Sequence, residues 1–148
     1  MSLHDDGLTP EEMVNKGFLL TWVKRAWTSP ALASVEEYFH PDCVVTGMAP
    51  EVLEGIAQVQ AVYNTLHSRV EHKHAEVSFA FLKGEHFSMV MELQGVHRES
   101  DVEVVIEVAV FGRMKDGQIF QVHNVVDYSH MYAKLGMLDV AKIRTLFG

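Results

Sequence analysis

The chain has 148 residues, the length of one ordinary domain. Apolar residues make up 48% and charged residues 22%, and twelve basic against twenty acidic side chains leave a net charge of −8. This balance excludes disordered, collagen-like and low-complexity classes, and it offers no general attraction to nucleic-acid phosphates or an anionic membrane, so neither partner is expected. Cys43 is the single cysteine, so an internal disulfide and a cysteine-based zinc site are both excluded. The opening residues lack the basic and apolar regions of a secretory signal, and no apolar run approaches the length of a membrane span. The expectation is a cytoplasmic protein with a disordered segment over 1–8 and a single domain over 9–148.

Thr9-Pro10-Glu11-Glu12 is a helix start: a hydroxyl caps, a proline occupies the first turn, and a glutamate three residues on reaches back. The helix is expected to run to about Thr28, with Val14, Phe18 and Trp22 on one face, widened by Leu19, Val23 and Trp27. Ser29-Pro30 repeats the signal and predicts a short second helix to about Phe39. His40-Pro41-Asp42 ends it, and Cys43–Thr46 reads as a strand. Ile56, Val59, Tyr63 and Leu66 recur at helical spacing to about Arg69. The period then changes to two. Strands are expected over 77–83, 87–94, 102–114 and 119–127, with Asp116-Gly117 as a tight hairpin turn. A helix broken at Gly136 closes the chain. Three helices followed by a run of strands predict an α+β fold, a cone-like curved antiparallel sheet wrapped on the N-terminal helices.

Tyr38-Phe39-His40-Pro41-Asp42-Cys43-Val44-Val45, then Leu53-Glu54-Gly55-Ile56, then Asp116-Gly117-Gln118-Ile119 with Asp127 and Leu135-Gly136, occur in order over nearly the whole chain. In these pieces the sequence resembles the nuclear transport factor 2-like superfamily, in its SnoaL-like or ketosteroid-isomerase-like branch. The resemblance implies a cone with an internal pocket. It also implies isomerase, cyclase, dehydratase or hydrolase chemistry, or plain binding of a ligand or protein partner. Carried over residue by residue, the ketosteroid isomerase base falls near Gly47, its phenol near Trp22 and its protonated acid near Ala109. None of these keeps the required group, which excludes steroid isomerisation by that mechanism. The aspartate that SnoaL-like cyclases use on the last strand falls on Asn124 or on Asp127.

The resemblance also implies that positions 122, 124 and 126 line the pocket. A two-residue turn at Asp116-Gly117 pairs Lys115 with Gln118, and extending that register sets Ala109 opposite Asn124, Phe111 opposite Val122 and Glu107 opposite Val126. Glu107 is then a pocket carboxylate, a candidate general acid or base. Glu92 lies across from it if the turn at 98–101 is tight. Asp127 is a second catalytic candidate, although it also suits the cap of a following helix. Trp22, Tyr63, Phe111 and Asn124 are the expected ligand-binding residues. The same register turns Val104, Ile106, Val108 and Val110 outward with His123, an apolar convex face that predicts a homodimer.

The nine histidines form no metal-binding spacing, so no metal and no cofactor are expected. Phosphate-binding and serine-nucleophile motifs do not occur. Two functions follow: an acid/base enzyme of isomerase, cyclase or dehydratase type acting on a hydrophobic small molecule, or a non-catalytic ligand-binding or dimerisation module.

Overall fold

The computed structural model describes residues 7–28 and 35–145. Helix α1 spans Pro10–Thr28, followed by a 3-10 turn at Val35–Glu37, strands β1 (Phe39–Thr46) and β2 (Leu53–Glu54), and helix α2 (Ile56–Arg69). Four long strands follow, β3 (Val70–Lys83), β4 (His86–His97), β5 (Val102–Lys115) and β6 (Gln118–Val126), then short helices α3 (Tyr128–Lys134) and α4 (Val140–Thr145). Most of the second helix expected after Ser29, and most of the 1–8 segment, lie outside the described residues. Leu8, at the end of that segment, is half-buried against the core.

The α1 start forms as its sequence dictates. The Glu12 N–H donates to Thr9 Oγ1 at 3.1 Å, and the Thr9 N–H donates to Glu12 Oε1 at 2.8 Å. The other carboxylate oxygen of Glu12 accepts from the Gly84 N–H at 2.6 Å, which ties the helix start to the β3–β4 turn. Leu19, Trp22, Val23, Ala26 and Trp27 form the buried stripe, whereas Val14 is 72% exposed. A spacing of four drifts by about 40° per step around a helix, which carries Val14 off the face that Trp22 occupies.

The six strands form one sheet in the order β2-β1-β6-β5-β4-β3. All neighbours are antiparallel except β1 and β6, which run parallel. An all-antiparallel sheet was the expectation from sequence; nothing local in β1 reports the direction of a strand at the far end of the chain. Helix α1 packs mainly on β3, and the core lies between the helices and the concave face of the sheet.

The β5–β6 hairpin decides which side chains enter that core. Asp116 and Gly117 have φ of 53° and 73°, and Lys115 pairs with Gln118 and Met114 with Ile119, as expected. Beyond that point Arg113 pairs with Gln121, leaving Phe120 as an extra residue. This β-bulge shifts the register by one. Val110, not Ala109, lies opposite Asn124, and Val108 lies opposite Val126. The inner and outer sets of β5 are therefore exchanged relative to the expectation, while Val122, Asn124 and Val126 of β6 stay inside; Ile119, outward in that register, is buried. Val104, Ile106, Val108 and Val110 are buried in the core and Glu107 is on the outside. The energetic reason is plain. Burying a Val or Ile side chain gains about 1.5–3 kcal/mol, whereas an unpaired buried carboxylate costs several. The bulged Phe120 ring is held on the outer side, with the His40 ring at 5.3 Å and Lys115 Nζ 4.8 Å from its centroid.

Two stability tests follow from these contacts. The hydrogen bonds from Thr9 and Gly84 hold the Glu12 carboxyl below its ordinary value of 4.5. A carboxyl with a lowered folded-state pKa stabilises above its unfolded pKa and loses that contribution as pH falls through the folded one. Glu12→Ala should therefore lower the melting temperature at neutral pH, and the gap to wild type should close toward pH 2. At Gly47, φ is +82° and an added Cβ would sit 1.8 Å from the Asn124 carbonyl oxygen. Gly47→Ala should cost at least about 2 kcal/mol in chemical denaturation.

Candidate functional site

A cavity of about 80 Å³, partly open to the surface, lies inside the cone. Its walls come from every layer of the fold. Helix α1 contributes Trp22 and Trp27, and α2 contributes Tyr63 and Leu66. Met91 and Leu93 come from β4, Ile106, Val108 and Val110 from β5, and Asn124 and Val126 from β6. Met48, after β1, and Tyr128, at the start of α3, complete the lining. The α1 residues reach it because positions 22 and 27 lie on the stripe that α1 buries, and the β5 residues because of the bulge at Phe120.

The polar atoms in this lining are few, and half of them are committed to backbone. The Trp27 indole N–H donates to the Gln94 carbonyl at 2.9 Å. The Tyr128 hydroxyl donates to the Met48 carbonyl at 3.0 Å and pins that loop to α3. Asn124 Nδ2 donates to the Thr46 carbonyl at 3.0 Å. A carbonyl can only accept, so this bond fixes the amide orientation and leaves Oδ1 as an acceptor on the cavity wall. The Trp22 side chain lies beside the Tyr63 hydroxyl and opposes the rise of its pKa, and an indole can only donate. Among the described residues, no protein group accepts the Tyr63 hydroxyl proton. Burial pushes the Tyr63 pKa well above the ordinary phenol value, against the smaller opposing effect of Trp22. Tyr63 is therefore a neutral donor throughout the physiological range. Burial also raises the Cys43 thiol, which keeps it protonated and unreactive.

The structure thus brings Trp22, Tyr63 and Asn124 together around one cavity. It does not bring Glu107 or Phe111 there. Both project from the outer face of β5, Phe111 at 54% exposure, because the bulge moved the register. Asp127 is exposed and caps α3, accepting from the Ser129 N–H at 3.2 Å and the Ser129 hydroxyl at 2.5 Å. The Ser129 side-chain bond is the main reason its carboxyl sits below the usual range. Met48, Trp27 and Tyr128 are lining residues that the sequence reading did not place there. Tyr128 follows the cap at Asp127, and Trp27 was legible only as part of an apolar stripe.

No carboxylate, imidazole, amine or thiol lines the cavity among the described residues. The charges gather on the outer face instead. Glu76, Glu92 and Glu107 pair across β3, β4 and β5 as one acidic row, and Lys83, His86 and Arg113 form a second row across the same strands, in which Arg113 pairs with Glu85 at 3.3 Å. Between the two rows lie Phe79, Phe81, Val90 and Phe111, with Val125 alongside on β6. Among the described residues, no group of three His, Cys, Asp or Glu side chains is placed to hold a metal ion, and no helix is long and apolar enough to cross a membrane.

Comparison with known proteins gives a consistent picture. A family model for the SnoaL-like domain matches residues 20–122. A comparison with curated protein sequences finds no match. Among solved structures, a protein described as a SnoaL-like polyketide cyclase from Jannaschia sp. CCS1 superposes with a TM-score of 0.77 at 16% identity, covering 90% of this chain and 99% of the other. A protein of ketosteroid isomerase-like fold from Catenulispora acidiphila, solved with trimethylamine, gives 0.70 at 17% identity, with 88% and 96% covered. IdmH from Streptomyces antibioticus, described as a polyketide cyclase, gives 0.70 at 17% identity, with 82% and 98% covered. At such identities the structural likeness speaks for the fold alone, while the family match extends over more than half of the sequence. The chain belongs to the SnoaL-like domain family, within the nuclear transport factor 2-like superfamily.

Proposed function

We propose that the chain binds an uncharged hydrophobic molecule inside the cone and holds it by a single oxygen atom. One observation carries this reading: the Tyr63 hydroxyl, beside the Trp22 indole, is a donor from which no protein group among the described residues accepts, in a lining that lacks ionisable groups other than phenols. A carbonyl or hydroxyl oxygen on the ligand satisfies that donor, and Asn124 Oδ1 accepts from a ligand hydroxyl. A carboxylate or phosphate would be desolvated without a cation to meet it.

A cyclase or isomerase role, of the kind the names of the structural relatives carry, draws support from the same pair. A fixed donor aimed at a carbonyl oxygen stabilises the enolate that forms when an α-proton leaves. Glu107 lies outside the cavity and the lining supplies no base, so what this pair contributes is polarisation of the carbonyl, and no proton-transfer step is assigned to it. Tyr63→Phe separates the roles. Loss of one neutral hydrogen bond should weaken binding of neutral ketones by about 10-fold. If the protein turns a substrate over, the rate should fall by about 10²-fold or more. Unchanged affinity would remove Tyr63 from the reading.

We also propose a homodimer through the outer face of the sheet, resting on other residues than the valines expected from sequence, which line the core. Phe79, Phe81, Val90, Phe111 and Val125 supply the apolar area. A two-fold arrangement that sets the acidic row of one protomer against the second row of its partner supplies charge complementarity. Sedimentation equilibrium should give a dimer that weakens with salt and dissociates in Phe111→Glu. A monomer at high protein concentration would contradict this.

A further inference from the structure

Resting on the proposed binding reading, we propose that the oxygen held in the cone is a hydroxyl: the ligand is a neutral alcohol, phenol or enol, taken in preference to the ketone of the same skeleton. The balance of free donors and acceptors in the lining carries this inference. The Trp27 indole N–H and the Tyr128 hydroxyl proton are committed to the Gln94 and Met48 carbonyls. Asn124 Nδ2 is committed to the Thr46 carbonyl. Two groups remain. Among the described residues, no protein group accepts the Tyr63 hydroxyl proton, and none donates to Asn124 Oδ1. One is a donor and the other an acceptor. A hydroxyl can both accept and donate, whereas a ketone or an ether can only accept. A ketone therefore answers Tyr63 and leaves Asn124 Oδ1 against hydrocarbon. Water competes for the same two atoms and serves both, so a ligand that serves one of them gives up a hydrogen bond on entering.

Asn124 cannot meet a ketone by turning over. A flipped amide would set Oδ1 against the Thr46 carbonyl, now 3.0 Å from Nδ2, and bring two acceptors face to face. The backbone that presents this carbonyl is fixed in turn. Thr46 pairs with His123, the neighbour of Asn124, in the sheet. The next residue, Gly47, approaches Asn124 so closely that an added Cβ would lie 1.8 Å from its carbonyl oxygen. Asn124 itself is buried. The acceptor is thus held in one orientation, and a site built to pair with a hydroxyl discriminates against the analogue that lacks one.

Trp22 and Trp27 are the two tryptophans of the chain, and both line the cavity. Their indole N–H signals in a proton–nitrogen correlation spectrum therefore report on this site. Labelled protein would be titrated with cyclohexanol, cyclohexanone and methoxycyclohexane, and with 2-decalol and 2-decalone, so that the comparison spans ligands of different size. Each alcohol should bind about 10-fold more tightly than its ketone, and methoxycyclohexane should bind no better than cyclohexanone. Asn124→Leu should collapse the alcohol-to-ketone ratio to about 1, whereas Tyr63→Phe should leave it near 10. A ketone or the ether binding as tightly as the alcohol in the wild type would overturn the hydroxyl preference and leave the binding reading standing; this comparison requires no variant to fold. A ratio that survives Asn124→Leu would overturn it as well. If none of the five compounds shifts an indole signal saturably, the binding reading fails, and the hydroxyl preference fails with it.

Discussion

One extra residue in the last strand governs where this protein keeps its charges. With Phe120 bulged out of β6, the strand slips by one position against β5 just beyond the hairpin turn. The slip sends a run of alternating valines and an isoleucine inward and the intervening glutamates outward. Without it, Glu103 and Glu107 would face the core, and Val104, Ile106, Val108 and Val110 would face water. Hydrophobic burial and carboxylate desolvation both favour the slipped register, so the bulge is the low-energy answer to the β5 sequence. The outward Phe120 ring, flanked by His40, Lys115 and Arg113, gives the displaced residue a place to rest.

The same slip shapes the chemistry. The cavity is lined by aromatic, aliphatic and thioether side chains, and the polar atoms it leaves uncommitted to backbone belong chiefly to one phenol, Tyr63, and one amide, Asn124. A group that moves protons near neutral pH needs a pKa near neutral pH, and burial drives Tyr63 further from it. The interior is therefore suited to hold and polarise an oxygen atom rather than to exchange a proton with it. The outer face, by contrast, carries the charges, with the Glu76, Glu92 and Glu107 row separated by apolar side chains from the row of Lys83, His86 and Arg113.

Much of the architecture was legible in the sequence because its signals are local. The Thr9/Glu12 capping box, the Asp116-Gly117 turn and the change of period after Arg69 each mark an element, and α2 spans Ile56–Arg69 as its spacing implies. Trp22 and Tyr63 were placed on the cavity by helix periodicity and by the family resemblance, and Asn124 by the resemblance alone. Glu107 and Phe111 were misplaced because the hairpin register was extended beyond the point where it holds. Nothing in Gln118-Ile119-Phe120-Gln121 announces a bulge, since bulge geometry depends on the partner strand. The valine run of β5 did contain the correction: four branched apolar side chains in alternation outweigh a register count from a turn.

The pairing of β5 with β6 is the claim on which the cavity account stands, and nuclear Overhauser contacts across the two strands in solution test it directly. The account predicts cross-strand contacts of Val110 with Asn124 and of Val108 with Val126. Contacts of Ala109 with Asn124 and of Glu107 with Val126 would return the carboxylate to the cavity and contradict it.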